Sequence, residues 1–222
     1  MYCYQCEQTA KGTGCSKMGV CGKTPETADL QDILIEITKG ISVAAHKARN
    51  YSKKDPAIDR FVIEALFTTV TNVNFDPERI CNLIKKGVDI RQQSRKIYEQ
   101  ACKENGVDPE APAYAEKFNP GSTIQEMLAT ASAISIKKEI DDFGPAVAGL
   151  RELIIYGLKG SASYTHHAML LGYEDDDIYA FFHEALQFIS TEQAANANTL
   201  LEMVLKCGEV NLKVMQLLDK AN

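Results

Sequence analysis

The sequence predicts an all-α fold: a cysteine-rich N-terminal loop followed by two three-helix bundles. Apolar residues recur in steps of three and four over long stretches, which marks one buried face of a helix. No convincing run of period-two alternation interrupts them, so a sheet is not expected. A pattern also repeats at a fixed spacing of 120 residues. Leu30-Gln31-Asp32-Ile33-Leu34-Ile35 is echoed by Leu150-Arg151-Glu152-Leu153-Ile154-Ile155, Lys39-Gly40 by Lys159-Gly160, and His46 by His166. Phe61 and Glu64-Ala65-Leu66 match Phe181 and Glu184-Ala185-Leu186, and the register slips by one before Lys86-Gly87 meets Cys207-Gly208. An internal duplication of a three-helix unit accounts for this.

In chain order, residues 1–23 form the loop. Residues 24–103 are expected to be the first bundle, 104–121 a linker and 122–222 the second bundle. Thr24 caps the first helix, with Pro25 at its first position. Leu30, Ile33, Leu34, Ile37, Ile41, Ala44 and Ala45 then supply its apolar face. A second helix is expected from about Asp59 through Phe61, Ala65, Leu66 and Thr69. Asp76-Pro77-Glu78 opens a third, carrying Ile80, Leu83, Ile84, Val88 and Ile90 towards Tyr98. Pro109, Pro112, Pro120, Gly106 and Gly121 break the chain between 104 and 122. The second copy starts with a helix after Gly121 or Pro145 and ends near the C-terminus. Glu174 to Asp177 read as a solvated helix start rather than a calcium loop, because no glycine occupies the turn position.

The loop carries the chemistry. Cys3, Cys6, Cys15 and Cys21 follow the spacing C-x2-C-x8-C-x5-C among Gly12, Gly14, Gly19 and Gly22. Four thiolates from a glycine-rich loop suit an iron–sulfur cluster or zinc. Glycine lets the backbone pass close to the metal and aim N–H groups at sulfur. Structural zinc sites usually use two tight knuckles; here only Cys3 and Cys6 form one, and the wider gaps favour a bulkier cluster. Tyr2 and Tyr4 flank the first ligands and would shield them from water. Lys11, Lys17 and Lys23 would stabilise a more negative reduced state. Cys81, Cys102 and Cys207 fall in helical patterns and read as buried small hydrophobes.

Several function classes are disfavoured. The net charge of −6 does not suit nucleic acid as the main partner. No apolar run approaches the roughly 20 residues of a membrane helix. No leader segment is expected, and clustered thiols outside a disulfide scaffold indicate a reducing, cytoplasmic setting. No Gly-x-Gly-x-x-Gly, phosphate loop, Gly-x-Ser-x-Gly or His-Glu-x-x-His motif occurs. No histidine has a glutamate three residues before it, so a di-iron bundle site is not expected. The repeated mid-helix glycines read as points of close helix approach.

Met1-Tyr2-Cys3-Tyr4-Gln5-Cys6-Glu7-Gln8-Thr9-Ala10, with Gly14-Cys15 and Gly19-Val20-Cys21-Gly22-Lys23, resembles the N-terminus of the hybrid-cluster (prismane) proteins, the hydroxylamine reductases. The resemblance extends through Leu30-Gln31-Asp32, Ala65-Leu66-Phe67, Leu150-Arg151-Glu152-Leu153, Gly157-Leu158-Lys159-Gly160 and Leu217-Leu218-Asp219-Lys220-Ala221-Asn222. It implies that Cys3, Cys6, Cys15 and Cys21 hold a [4Fe–4S] cluster, as in the family's anaerobe-type motif, rather than the [2Fe–2S] of its longer-gapped version. It also implies a first domain made of two three-helix bundles. Family members are more than twice this length, and their catalytic hybrid cluster is ligated from two later α/β domains. The chain is therefore expected to be a first domain that relays single electrons from a small redox donor to that cluster. By itself it should not reduce hydroxylamine. The alternative is a metal-stabilised helical interaction module, with zinc or a cluster pinning the loop, that self-associates through a bundle face.

Overall fold

The computed structural model describes all 222 residues, the side chain of Glu192 excepted. The loop holds one short 3-10 turn, nine α-helices and two further 3-10 turns follow it, and among the described residues no strand forms. The long helix α1 (Pro25–Arg49) starts as the sequence indicates: Thr24 Oγ1 accepts the Thr27 N–H and Pro25 takes the first position. α2 (Pro56–Thr68) begins three residues before the expected Asp59. Its start is set by Asp55, which accepts the Ala57 N–H, and by Pro56 at the first position, not by the apolar pattern. α3 (Pro77–Glu104) is capped by Asp76 and runs past Tyr98.

The stretch expected as a linker contains the one-turn helix α4 (Tyr114–Lys117). Next come α5 (Ile124–Thr130), a 3-10 turn at Ala131–Ile134, and α6 (Ile136–Phe143). The long helix α7 (Pro145–Leu170) again carries proline at its first position. α8 (Asp176–Phe188) is capped by Asp175, as the acidic stretch indicates, and α9 (Ala197–Ala221) follows. Helices of 25, 13 and 28 residues are thus matched by helices of 26, 13 and 25.

The long helices pair within each half, α1 with α3 and α7 with α9. The short ones cross over: α2 packs chiefly on α7, and α8 on α1. One hydrophobic core therefore spans both halves, from Leu30, Ile33 and Leu34 through Phe61 and Leu66 to Phe182, Leu186, Leu200 and Val214. Cys81, Cys102 and Cys207 are buried in helices, as small hydrophobes should be.

At the crossing sits a polar network. His183 on α8 is fully buried; its Nε2 lies 2.8 Å from Asp59 on α2 and its Nδ1 3.1 Å from Ser42 Oγ on α1. Arg49 also donates to Asp59, at 2.9 Å. Burial works to raise the Asp59 carboxyl, but His183 and Arg49 outweigh it and hold it below the usual range. Burial also pushes the His183 imidazole down, so it is neutral at pH 7. The ionised Asp59 then assigns the ring proton to Nε2 and leaves Nδ1 to accept from Ser42.

The mid-helix glycines divide into two kinds. A Cβ at Gly87 would lie 2.7 Å from Ile37, one at Gly157 2.8 Å from Cys207 Sγ, and one at Gly40 would strike the Ala115 carbonyl. Those three mark close approach. Gly160 and Gly208 would meet nothing within 4 Å, so the expectation of close packing fails for them within this chain.

Candidate metal centre

The loop closes on itself through its first and third cysteines. Cys3 N–H donates to the Cys15 carbonyl at 3.0 Å, and Cys15 N–H to the Cys3 carbonyl at 2.8 Å. Residues paired so directly in an antiparallel ladder place their side chains on one face. Cys3, Cys6, Cys15 and Cys21 all line one pocket, closed by Gln5, Thr9, Lys23 and Thr71. The structure thus brings the four sequence-predicted residues together, and all are free thiols.

The glycines have specific work here. Gly14 adopts φ +144°, and a Cβ there would sit 2.6 Å from the Tyr2 ring, whose hydroxyl donates to the Thr13 carbonyl at 2.7 Å. Tyr2 therefore lies against the turn that delivers Cys15. At Gly19 a Cβ would lie 3.1 Å from Cys21 Sγ, so glycine is what lets the backbone run beside that sulfur.

The sulfurs differ in environment. Cys15 Sγ accepts the Ala10 N–H at 3.4 Å and lies 3.7 Å from Thr9 Oγ1. Backbone N–H groups of Ala10 and Val20, with the Thr9 hydroxyl, hold the Cys15 thiol below its usual range. Cys3 moves the other way, because burial disfavours its thiolate. Tyr2, Tyr4 and Tyr156 of α7 form an edge-to-face series, Tyr2 to Tyr4 at 5.4 Å and Tyr4 to Tyr156 at 5.8 Å, but neither Tyr2 nor Tyr4 lines the pocket of the four cysteines.

Of the three loop lysines, Lys11 and Lys17 are exposed, while Lys23 is buried and donates to Gln31 Oε1 at 2.6 Å. Gln31 in turn donates to the Asn74 carbonyl at 2.9 Å, tying α1 and the loop after α2 to the cysteine segment. Sequence reasoning missed what lies behind Cys3. There Lys23, Asp32 of α1, and Glu152 and Lys159 of α7 line a second small pocket that also opens on Cys3. Burial raises the Asp32 carboxyl to about 7, and burial with the Glu139 charge raises that of Glu152. Burial lowers the Lys159 ammonium to about 8, against the pull of Glu152 and Asp32. The available signal was charged residues recurring inside apolar helix faces at the 120-residue spacing.

Among the described residues no three His, Cys, Asp or Glu side chains close on one metal ion. The four cysteines line a shared pocket, with the Ala10 N–H on Cys15 Sγ and Gly19 beside Cys21 Sγ, a set of thiols that zinc and an iron–sulfur cluster both accept.

The family model for the Prismane/CO dehydrogenase family matches residues 1–222. A hydroxylamine reductase of Rhodospirillum rubrum is 45% identical over 222 residues, covering 100% of this chain and 40% of that protein. Hydroxylamine reductases of Syntrophobacter fumaroxidans and Acidithiobacillus ferrooxidans are 42% and 41% identical, again over 100% of this chain and 40% of theirs. The chain therefore spans well under half the length of the curated relatives it matches. On a match along its whole length, the chain belongs to the Prismane/CO dehydrogenase family.

Proposed function

We propose that this chain is the iron–sulfur electron-transfer part of a hydroxylamine reductase, with Cys3, Cys6, Cys15 and Cys21 as ligands of a [4Fe–4S] cluster. The observation that carries the reading is the ring of four cysteines around one pocket. When bound, the cluster supplies a one-electron couple, and four cysteines leave its irons no open position for substrate. The protein's part is to hold the sulfurs and aim the Ala10 N–H at Cys15. Electrons would come from a small redox donor and pass to a hybrid cluster held by later domains. Hydroxylamine or nitric oxide reduction belongs to that longer protein and not to these residues alone. The division into a cluster loop (1–23), two bundles (24–103 and 122–222) and a linker (104–121) is part of the proposal, as is a reducing, cytoplasmic location, where thiols persist. No helix of the structure is long and apolar enough to cross a membrane.

Iron and sulfide analysis of anaerobically purified protein tests this, together with its visible spectrum. Brown material that bleaches with dithionite, and that loses its iron in Cys15→Ser, is expected. A colourless protein carrying one zinc would end the reading.

One observation favours a second reading, a metal-stabilised interaction module without a redox role. Leu201, Leu205, Leu212 and Met215 of α9 are all exposed, spaced by four, seven and three residues on one face. Static light scattering that finds a monomer at all concentrations would count against self-association through that face.

A further inference from the structure

The two lysines that the sequence repeat equates, Lys39 and Lys159, have unequal surroundings. Lys39 lies 3.3 Å from Glu36 and 3.6 Å from Glu139. Those carboxylates overcome the burial penalty and push its ammonium up to about 12. Lys159 is 5% exposed, yet among the described residues no carboxylate lies within ion-pair distance of its Nζ. Its ammonium stands 5.8 Å from the centroid of the Tyr156 ring, and it lines the pocket behind Cys3 with Asp32, Glu152 and Lys23. Burial lowers its ammonium, against the pull of Glu152 and Asp32. A buried charge with no direct ion pair is costly, and its field reaches far because little solvent screens it. It faces the cysteine site.

Resting on the reading of that site as an iron–sulfur centre, we propose that Lys159 is a positioning residue of the redox site. Reaching from α7 to the pocket that opens on Cys3, it adds to the buried Lys23, which lines the cysteine pocket itself, a second positive charge that stabilises the reduced, more negative form. Glu152 lines the same pocket and, when ionised, opposes that charge. The second half of the chain would then set the potential of a centre whose ligands all come from the first 21 residues. Lys11 and Lys17, though nearer in sequence, are exposed and screened by salt.

The test is an EPR-monitored redox titration of the anaerobic 222-residue chain at low and high salt, with iron and sulfide measured on every variant. Lys159→Met is expected to shift the midpoint potential to more negative values and to keep that shift in high salt. Lys159→Arg should leave the potential near the parent value, and Lys17→Met should have no effect in high salt. Glu152→Gln should shift the potential the opposite way, which gives a reading even if Lys159→Met does not fold. Iron-loaded Lys159→Met or Glu152→Gln protein with the parent potential would overturn the assignment. Parent protein without iron would instead defeat the reading of the site, before any variant is compared.

Discussion

In the first half, Lys86 reaches Glu64 at 3.4 Å and lies 5.2 Å from the centroid of the Phe61 ring. In the second, 120 residues on and without the one-residue slip expected from the sequence, Lys206 pairs with Glu184 and lies 5.7 Å from that of Phe181. Asp55 caps α2 and Asp175 caps α8. Charges are exchanged in the same spirit: Lys159 of α7 feels Asp32 of α1, and Lys39 of α1 feels Glu152 of α7. The halves part company in what covers them. Over α1 and α3 lie residues 105–121, held by Arg91, which donates to the Ala115 and Phe118 carbonyls at 2.9 and 2.7 Å. The cysteine loop closes the start of α1. Around Gly160 and Gly208 on α7 and α9 nothing equivalent lies. The shared interior is thus scaffold, and the coverings are where the halves specialise.

The largest effects would test whether the interior is truly shared. Phe61→Ala and Phe181→Ala should each cost about 3–5 kcal/mol, and each variant should still melt in a single transition followed by both calorimetry and circular dichroism. Two separate transitions would break the comparison by making each half its own unit.

Acid should come next. Asp59 and His183 both titrate lower in the folded state than in the unfolded chain. Each therefore contributes stability above its unfolded pKa that is lost as pH falls towards its folded one. For His183 the loss starts near pH 6.5, at up to about 1.4 kcal/mol per pH unit. Denaturant titrations between pH 8 and 5 should show that slope in the parent and a flatter one in His183→Leu, which should also be less stable at pH 8 by about 1–3 kcal/mol because Asp59 loses a buried donor.

The smallest effects separate the coverings. Gly40→Ala should destabilise by about 1–3 kcal/mol, since the new methyl meets the Ala115 backbone. Gly160→Ala, facing open space, should stabilise by about 0.5–1 kcal/mol through helix propensity. Equal signs in urea melts would mean that the covering makes no difference.

Much of this was legible in the residues because the signals are local. Thr24-Pro25 and Asp76-Pro77 state two helix starts outright, and Asp55-Pro56 states a third that the apolar pattern of α2 conceals. The four cysteines announced themselves by type and spacing. What stayed hidden depends on partners distant in sequence. Asp32, Glu152 and Lys159 look like ordinary helix charges until α1 and α7 face each other behind Cys3. His183 looks like a surface histidine beside Glu184 until α8 crosses to α1 and meets Ser42 and Asp59, more than 120 positions away. The single-turn α4 and the short α5 and α6 lack the length to show a period.

The crossing of the short helices also bears on how the chain is built. A helical protein ordinarily folds fast because its contacts are near in sequence. Here α1 is made before α3 and α8, and while α3 follows soon after, α8, which buries another part of its surface, begins at Asp176. During synthesis part of α1 stays uncovered while more than a hundred further residues are added, an interval in which exposed apolar surface favours aggregation.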